Sequence, residues 1–187
     1  MISIDSLKEY INKLLNDIYY SEIDNFYKAK EVLQDVINKD GNIYFFGQGH
    51  SVWVGRDVLK SYQLPIKVME EISTNPKELY DYYKIKKEDG FVIISNSGIN
   101  ETIVELAIYL KEKGHKIIVI NSNSHTLKCK SRHPSKKKLY QFGDVVIDNC
   151  CVYGDAAIKD GDNCIGSFSS IANNVIVHTI LKMIIED

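Results

Sequence analysis

"GFVIISNSGINE", residues Gly90–Glu101, runs from an unbroken apolar stretch into serine, asparagine and glycine, and then into a segment with helical spacing. Successive side chains of a strand point to opposite faces, so a run with no polar alternation marks a strand buried on both sides. "NIYFFG" (42–47), "KIIVIN" (116–121) and "DVVIDN" (144–149) have the same character, and Ile66–Met69 is strand-like. Helical spacing fills the intervals. It covers Val52–Leu64, a Tyr-rich piece over Pro76–Tyr83, a helix marked by Ile103, Ala107 and Leu110 between an Asn100 cap and Gly114, and a last helix over about Ile171–Ile185. Buried strands alternating with helices predict an α/β fold, a three-layer sandwich with a parallel sheet of about five strands flanked by helices.

Upstream, Leu7, Ile11, Leu14, Leu15 and Ile18 predict one helix. Ile23, Phe26, Ala29, Val32, Leu33 and Ile37 predict a second, following a cap near Ser21 and closed by Gly41. Their apolar stripe points to self-association, with residues 1–40 in the interface. No linker or repeat divides the chain, so residues 1–187 are expected to form a single domain.

The 187 residues carry 23 basic and 25 acidic side chains, a balance that speaks against a nucleic-acid partner. The purely apolar runs are far shorter than the roughly 20 residues a bilayer requires, and "MISIDSLKEY" lacks the basic start and apolar middle of a signal peptide. A cytoplasmic protein with no membrane partner is expected. Cys129, Cys150, Cys151 and Cys164 form no C-x-x-C pair and read as buried or idle thiols rather than metal ligands.

In a parallel sheet, ligands bind beyond the strand carboxyl ends, where helix N-termini present free N–H groups. The first such loop, "GQGHS" (47–51), offers close backbone approach at Gly49, the loop side chain His50 and the hydroxyl of Ser51. A dinucleotide fingerprint would need its third glycine where Val52 stands. The second loop gathers Ser95, Asn96, Ser97 and Asn100 around a helix N-terminus, which suits a phosphate monoester; helix capping is the plainer alternative. The third, "GSFSS" (166–170), brings Ser169 and Ser170 to another helix start, where capping is an equal alternative. Glu70 and Glu71 end the second strand, either beside the ligand or on a solvated edge. Arg132, His133 and Lys136–Lys138 form a basic loop, either merely solvated or drawing an anionic substrate to the entrance. His178 sits on an apolar helix, where a satisfied core histidine is the plain reading.

Taken together, "FFGQGHS", "IISNSG" and "GSFSS" resemble the three ligand loops of the sugar isomerase (SIS) domain family, over residues 41–183. "SRHPSKKKLYQFGDVVIDNC" and "YGDAA" are similar to an uncharacterised, phosphoheptose-isomerase-like branch. The resemblance implies a flavodoxin-like or Rossmann-like sheet, dimers or tetramers, and a phosphosugar site at the strand ends completed by a neighbouring subunit. It implies that Ser95, Ser97 and, in place of the usual threonine, Asn100 hold the phosphate. Ser51 matches the first-loop serine, and Ser169 and Ser170 the third-loop hydroxyls. His178 matches a catalytic histidine of phosphoheptose isomerases. Their catalytic glutamate has Asp57 nearest to it, in a different register. The expected activity is aldose–ketose interconversion of a phosphorylated sugar through an enediol, with no cofactor and no metal, protons being moved by His178 and by Asp57 or Glu70. The alternatives are a non-catalytic phosphosugar-binding regulator and an amino-sugar-phosphate etherase or lyase. Relative to that branch the segment between Pro65 and Gly90 is short, so the site is expected to be open to water.

Overall fold

All five apolar runs become strands of one parallel sheet in the computed structural model of the chain, which describes residues 4–160 and 163–186. They are β1 (Ile43–Gly47), β2 (Ile66–Met69), β3 (Gly90–Ile94), β4 (Lys116–Asn121) and β5 (Val145–Asp148), in the order β2-β1-β3-β4-β5. Every residue of β1 and β3 is buried, as the absence of polar alternation requires. Register is set by pairs such as Phe46 with Met69 on one side and with Ile93 on the other.

The helices are α1 (Ile4–Asn38), α2 (Ser51–Ser61), α3 (Pro76–Tyr82), α4 (Glu101–Glu112), the single turn α5 (Asn123–Thr126) and α6 (Phe168–Ile185). Alternate strand residues divide the core. Phe45, Val92, Ile118 and Ile147 face α1, α2 and α6, where they join Phe26, Leu33, Val58 and Ile176. Tyr44, Phe46, Phe91 and Ile93 face α3 and α4, with Leu79, Leu106 and Leu110.

Three elements depart from the sequence expectation. Residues Ile4–Asn38 form one helix, not two. Ser21 sits inside α1 and donates to the carbonyl of Asp17, a bond that keeps a serine within a helix rather than capping a new one. Leu14, Ile18, Glu22, Phe26, Ala29, Leu33 and Val36 then form one buried stripe, packed on α6 and β5, so that the chain itself covers this face. Tyr20 and Tyr27 remain exposed on α1. Second, α6 starts at Phe168, which puts Ser169 and Ser170 in its first turn. Third, a short antiparallel pair, β6 (Ile158–Asp160) with β7 (Asn163–Ile165), precedes α6. By length and composition α6 is apolar enough to cross a bilayer; half of that stretch is buried within the fold.

Connections leave β1 toward β2 on one side while β3 lies on the other, and at such a reversal the loops splay apart. A crevice therefore opens beyond the carboxyl ends of β1 and β3.

Candidate functional site

The β1–α2 loop begins with a glycine that packing enforces. A Cβ at Gly47 would come within 2.7 Å of the Ser51 Cβ and 3.1 Å of the Ile94 carbonyl. Gly49 takes φ +60 over open space, so the loop turns away and leaves room above it. Ser51 opens α2, and His50 precedes it without a side-chain cap bond.

The β3–α4 loop is tied down from below. Ser95, buried, accepts the Gly98 N–H at 3.1 Å, which leaves its own O–H to donate elsewhere. Gly98 has φ +60, and a Cβ there would crowd Leu139 at 3.3 Å. Thr126 Oγ1 donates to the Ser97 carbonyl at 2.8 Å, so the loop is braced while, among the described residues, no bond engages the Ser97 hydroxyl. Asn96 Oδ1 accepts from Asn149 Nδ2 at 3.1 Å, and the same amide donates to Asn173 Oδ1 at 3.0 Å, a chain buried at Asn149 and Asn173 that ties the ends of β3 and β5 to α6. Asn100 starts α4 without capping it. Its amide instead donates to Gln48 Oε1 at 2.9 Å and accepts from Arg132 at 3.3 Å. Gln48 also holds Glu71 at 2.7 Å, and a line of polar bonds thus crosses the rim.

At the third loop Ser167 adopts φ +74, a conformation uncommon for a side chain with a Cβ, immediately ahead of α6. Asp155 accepts from the Ser169 N–H at 2.8 Å and from its hydroxyl at 2.5 Å, placing a carboxylate on the α6 N-terminus.

These loops enclose one open cleft of about 570 Å³. Gly49, His50, Ser51, Ser95, Asn96, Ser97, Asn100 and Ser169 all line it. Ser170 does not; its carbonyl accepts from Asn174. Gln48, His125, Arg132, Tyr153, Asp155 and Ser167 also line the cleft and were not singled out as ligand contacts from the sequence. His125, against the ring of Tyr153 with centroids 4.9 Å apart, keeps a buried Nδ1 with no partner.

The remaining candidates lie elsewhere on the chain. His178 Nε2 stands 2.8 Å from Asp57 Oδ2 and its Nδ1 2.7 Å from the Tyr62 hydroxyl. Asp57 is six residues along α2 from Ser51, about 9 Å by helical rise, and faces a separate hollow with Trp53, Arg56 and Asn174. Glu70 accepts from Arg56 Nε at 2.9 Å and Nη2 at 2.7 Å. Cys151 is buried, and burial pushes its thiol well up; Cys150 is raised for the same reason. Cys129 borders the cleft, and the Cys164 side chain lies outside the described residues. Among the described residues no three His, Cys, Asp or Glu side chains cluster as metal ligands would.

A family model described as SIS domain matches residues 58–122. The chain is 30% identical over 170 residues to a UPF0309 protein of Halalkalibacterium halodurans, spanning 81% of this chain and 70% of that one. It is 33% identical over 174 residues to a UPF0309 protein of Listeria monocytogenes, spanning 85% and 74%. The fold matches that of a phosphoheptose isomerase from Neisseria gonorrhoeae with a TM-score of 0.66 at 12% identity, over 98% of this chain and 97% of that one. A protein of E. coli CFT073, in complex with a sugar phosphate, matches with a TM-score of 0.66 at 20% identity, over 99% and 93%. The NanR protein of Vibrio vulnificus, complexed with ManNAc-6P, matches at 0.61 and 16% identity, over 96% and 62%.

Proposed function

The chain belongs to the UPF0309 family and carries a SIS domain, and from that premise we propose that its cleft binds a phosphorylated sugar and that the protein interconverts an aldose and a ketose phosphate. One observation carries the reading: hydroxyls and amides from three separate post-strand loops converge on a single cleft at the reversal of strand order. Folds of this kind hold a sugar phosphate in the E. coli protein and ManNAc-6P in the Vibrio protein.

The phosphate belongs at the α4 N-terminus rather than at α6. Asp155 already brings a negative charge to the start of α6, whereas no side chain caps α4. Ser95 and Ser97 donate to the phosphate there, with Ser51 opposite. Asn100 braces the rim through Gln48 and Arg132.

Isomerisation through an enediol needs a base for the proton beside the carbonyl and an acid for the oxygen. A carboxylate can only accept, so His178 donates Nε2–H to Asp57 and takes the Tyr62 hydroxyl on Nδ1. This histidine is fixed in one tautomer and one orientation, and with both ring nitrogens engaged the exposed Asp57 carboxylate is the end of the pair open to a substrate. Glu70 is held by two Arg56 donors, and Asp57 is therefore the better partner. The pair stands outside its own chain's cleft, so the reading assigns it to the cleft of a second copy in a homo-oligomer. The same separation favours one other reading, a phosphosugar-binding regulator without turnover. Replacing both Ser95 and Ser97 with alanine tests the common core of both. Phosphosugar binding is then lost on the proposed reading, and unchanged binding rejects it.

A further inference from the structure

Between Lys128 and Lys138 the chain places Lys128, Lys130, Arg132, Lys136, Lys137 and Lys138, and no acidic residue occurs from 113 to 143. A chain of net charge −2 thus concentrates six cations in eleven residues. Among the described residues none of the six is paired with a carboxylate. The one carboxylate that reaches this loop, Glu105 on α4, bonds the ring of buried His133, whose other nitrogen meets the Ser135 hydroxyl at 2.7 Å.

That staple and the backbone hold the basic loop against the phosphate loop. The Arg132 N–H donates to the Ile99 carbonyl at 3.0 Å and the Leu139 N–H to the Gly98 carbonyl at 2.9 Å. Lys138 Nζ donates to the Thr126 carbonyl at 2.6 Å, and Lys128 lies over the Tyr153 ring at 5.5 Å. Lys130 and Lys136 make no side-chain bond of this kind. Lys128, Lys130, Lys136 and Lys138 surround Cys129 in a crevice of about 620 Å³, and Cys129 also borders the ligand cleft. The two hollows therefore share Cys129 as a wall, and a set of unneutralised cations on a braced backbone lies beside the phosphate loop. Holding like charges together is unfavourable until an anion sits among them.

We propose that this crevice is a second anion subsite, and that the substrate is a phosphosugar bearing a second acidic group, a phosphate or a carboxylate. The inference rests on the phosphosugar reading of the cleft and narrows its substrate class. The Ser95–Ser97 loop takes one phosphate, and Lys130 and Lys136 take the other charge.

Calorimetric titration at 0.15 M salt tests it with fructose 6-phosphate, fructose 1,6-bisphosphate and 6-phosphogluconate. The comparison is the wild-type chain against Lys130→Ala/Lys136→Asn, asparagine being tolerated at the φ +62 of residue 136. At least one probe with two acidic groups is expected to bind roughly tenfold or more tighter than the monophosphate, and which one identifies the second group. In the double variant that preference falls to about threefold or less, while monophosphate affinity stays within about twofold. Equal affinity for all three probes in the wild type overturns the proposal, and so does equal weakening of all three in the variant, which is steering alone. Binding of no probe overturns the phosphosugar reading itself, an outcome distinct from equal binding of all.

Discussion

His178 on α6 and Asp57 on α2 meet at 2.8 Å across 121 residues of chain, with the Tyr62 hydroxyl closing the other side of the imidazole. A histidine used only for packing needs no carboxylate that is itself 58% exposed. His178→Asn and Asp57→Asn are each expected to lower turnover by about 10²–10⁴-fold while phosphosugar affinity stays within about threefold. Tyr62→Phe, which leaves the Asp57 contact in place, has a smaller effect, about tenfold. Glu70→Gln is close to neutral for turnover. Steady-state rates set beside titrated affinities separate these cases.

On the proposed reading Ser95 and Ser97 act on binding rather than on chemistry. Hydrogen bonds to a charged phosphate contribute about 1.5–3 kcal/mol each, so Ser95→Ala and Ser97→Ala are each expected to weaken phosphosugar binding about 10- to 100-fold. Ser170→Ala, outside the cleft, leaves it within about twofold. Titration of the three variants with one sugar phosphate checks the contrast.

The Asn96–Asn149–Asn173 chain couples stability to the site. Asn149 is fully buried; its amide donates to Asn96 and Asn173, and its Oδ1 accepts the Cys151 N–H at 3.1 Å. Asn149→Ala leaves the buried Asn173 oxygen and the Cys151 N–H without their partners and frees the half-buried Asn96 oxygen, at a cost of about 1–3 kcal/mol on denaturant unfolding. Ligand binding weakens as well, because Asn96 loses its anchor.

Asp144 lies at the amino ends of the strands, far from the cleft. Burial alone would raise its carboxyl. The Lys111 ammonium, the Ile117 N–H and Lys116 outweigh burial and hold it below the ordinary carboxylate range. The folded state thus binds this proton more weakly than the unfolded chain, so the stabilisation is present above the ordinary carboxylate range and is lost as pH falls below that range through the lowered folded-state value. Asp144→Asn is expected to unfold more easily than wild type at pH 7 by about 1–3 kcal/mol. The gap closes below about pH 4, and ligand affinity is unaffected throughout.

Much of this architecture could be read from the chain, because strands buried on both faces leave continuous apolar runs that no other element needs. The first two cleft loops followed from those runs, since each begins where a strand stops. What escaped depends on long-range contacts. Whether Ser21 caps a helix or bonds back to Asp17 turns on the stripe from Leu14 to Val36 having a sheet to lie on. Asp155 reaches Ser169 only once the chain folds back, although "YGDAA" stood out in the sequence. His125 enters the cleft from the β4–β5 connection, which periodicity leaves blank, and Arg132, read in the sequence as part of a basic loop at the entrance, lines the cleft itself. Ser167 lay within "GSFSS", but its left-handed backbone is a property of the folded turn.

The central claim is proton transfer on a bound phosphosugar, and proton NMR in deuterated buffer tests it most directly. Five- to seven-carbon sugar phosphates are incubated with the protein at saturating concentration. Isomerase activity predicts deuterium at the carbon beside the carbonyl together with the partner aldose or ketose, both abolished in His178→Asn. Ligand line broadening with no deuterium in any sugar would contradict it and identify a binding protein instead.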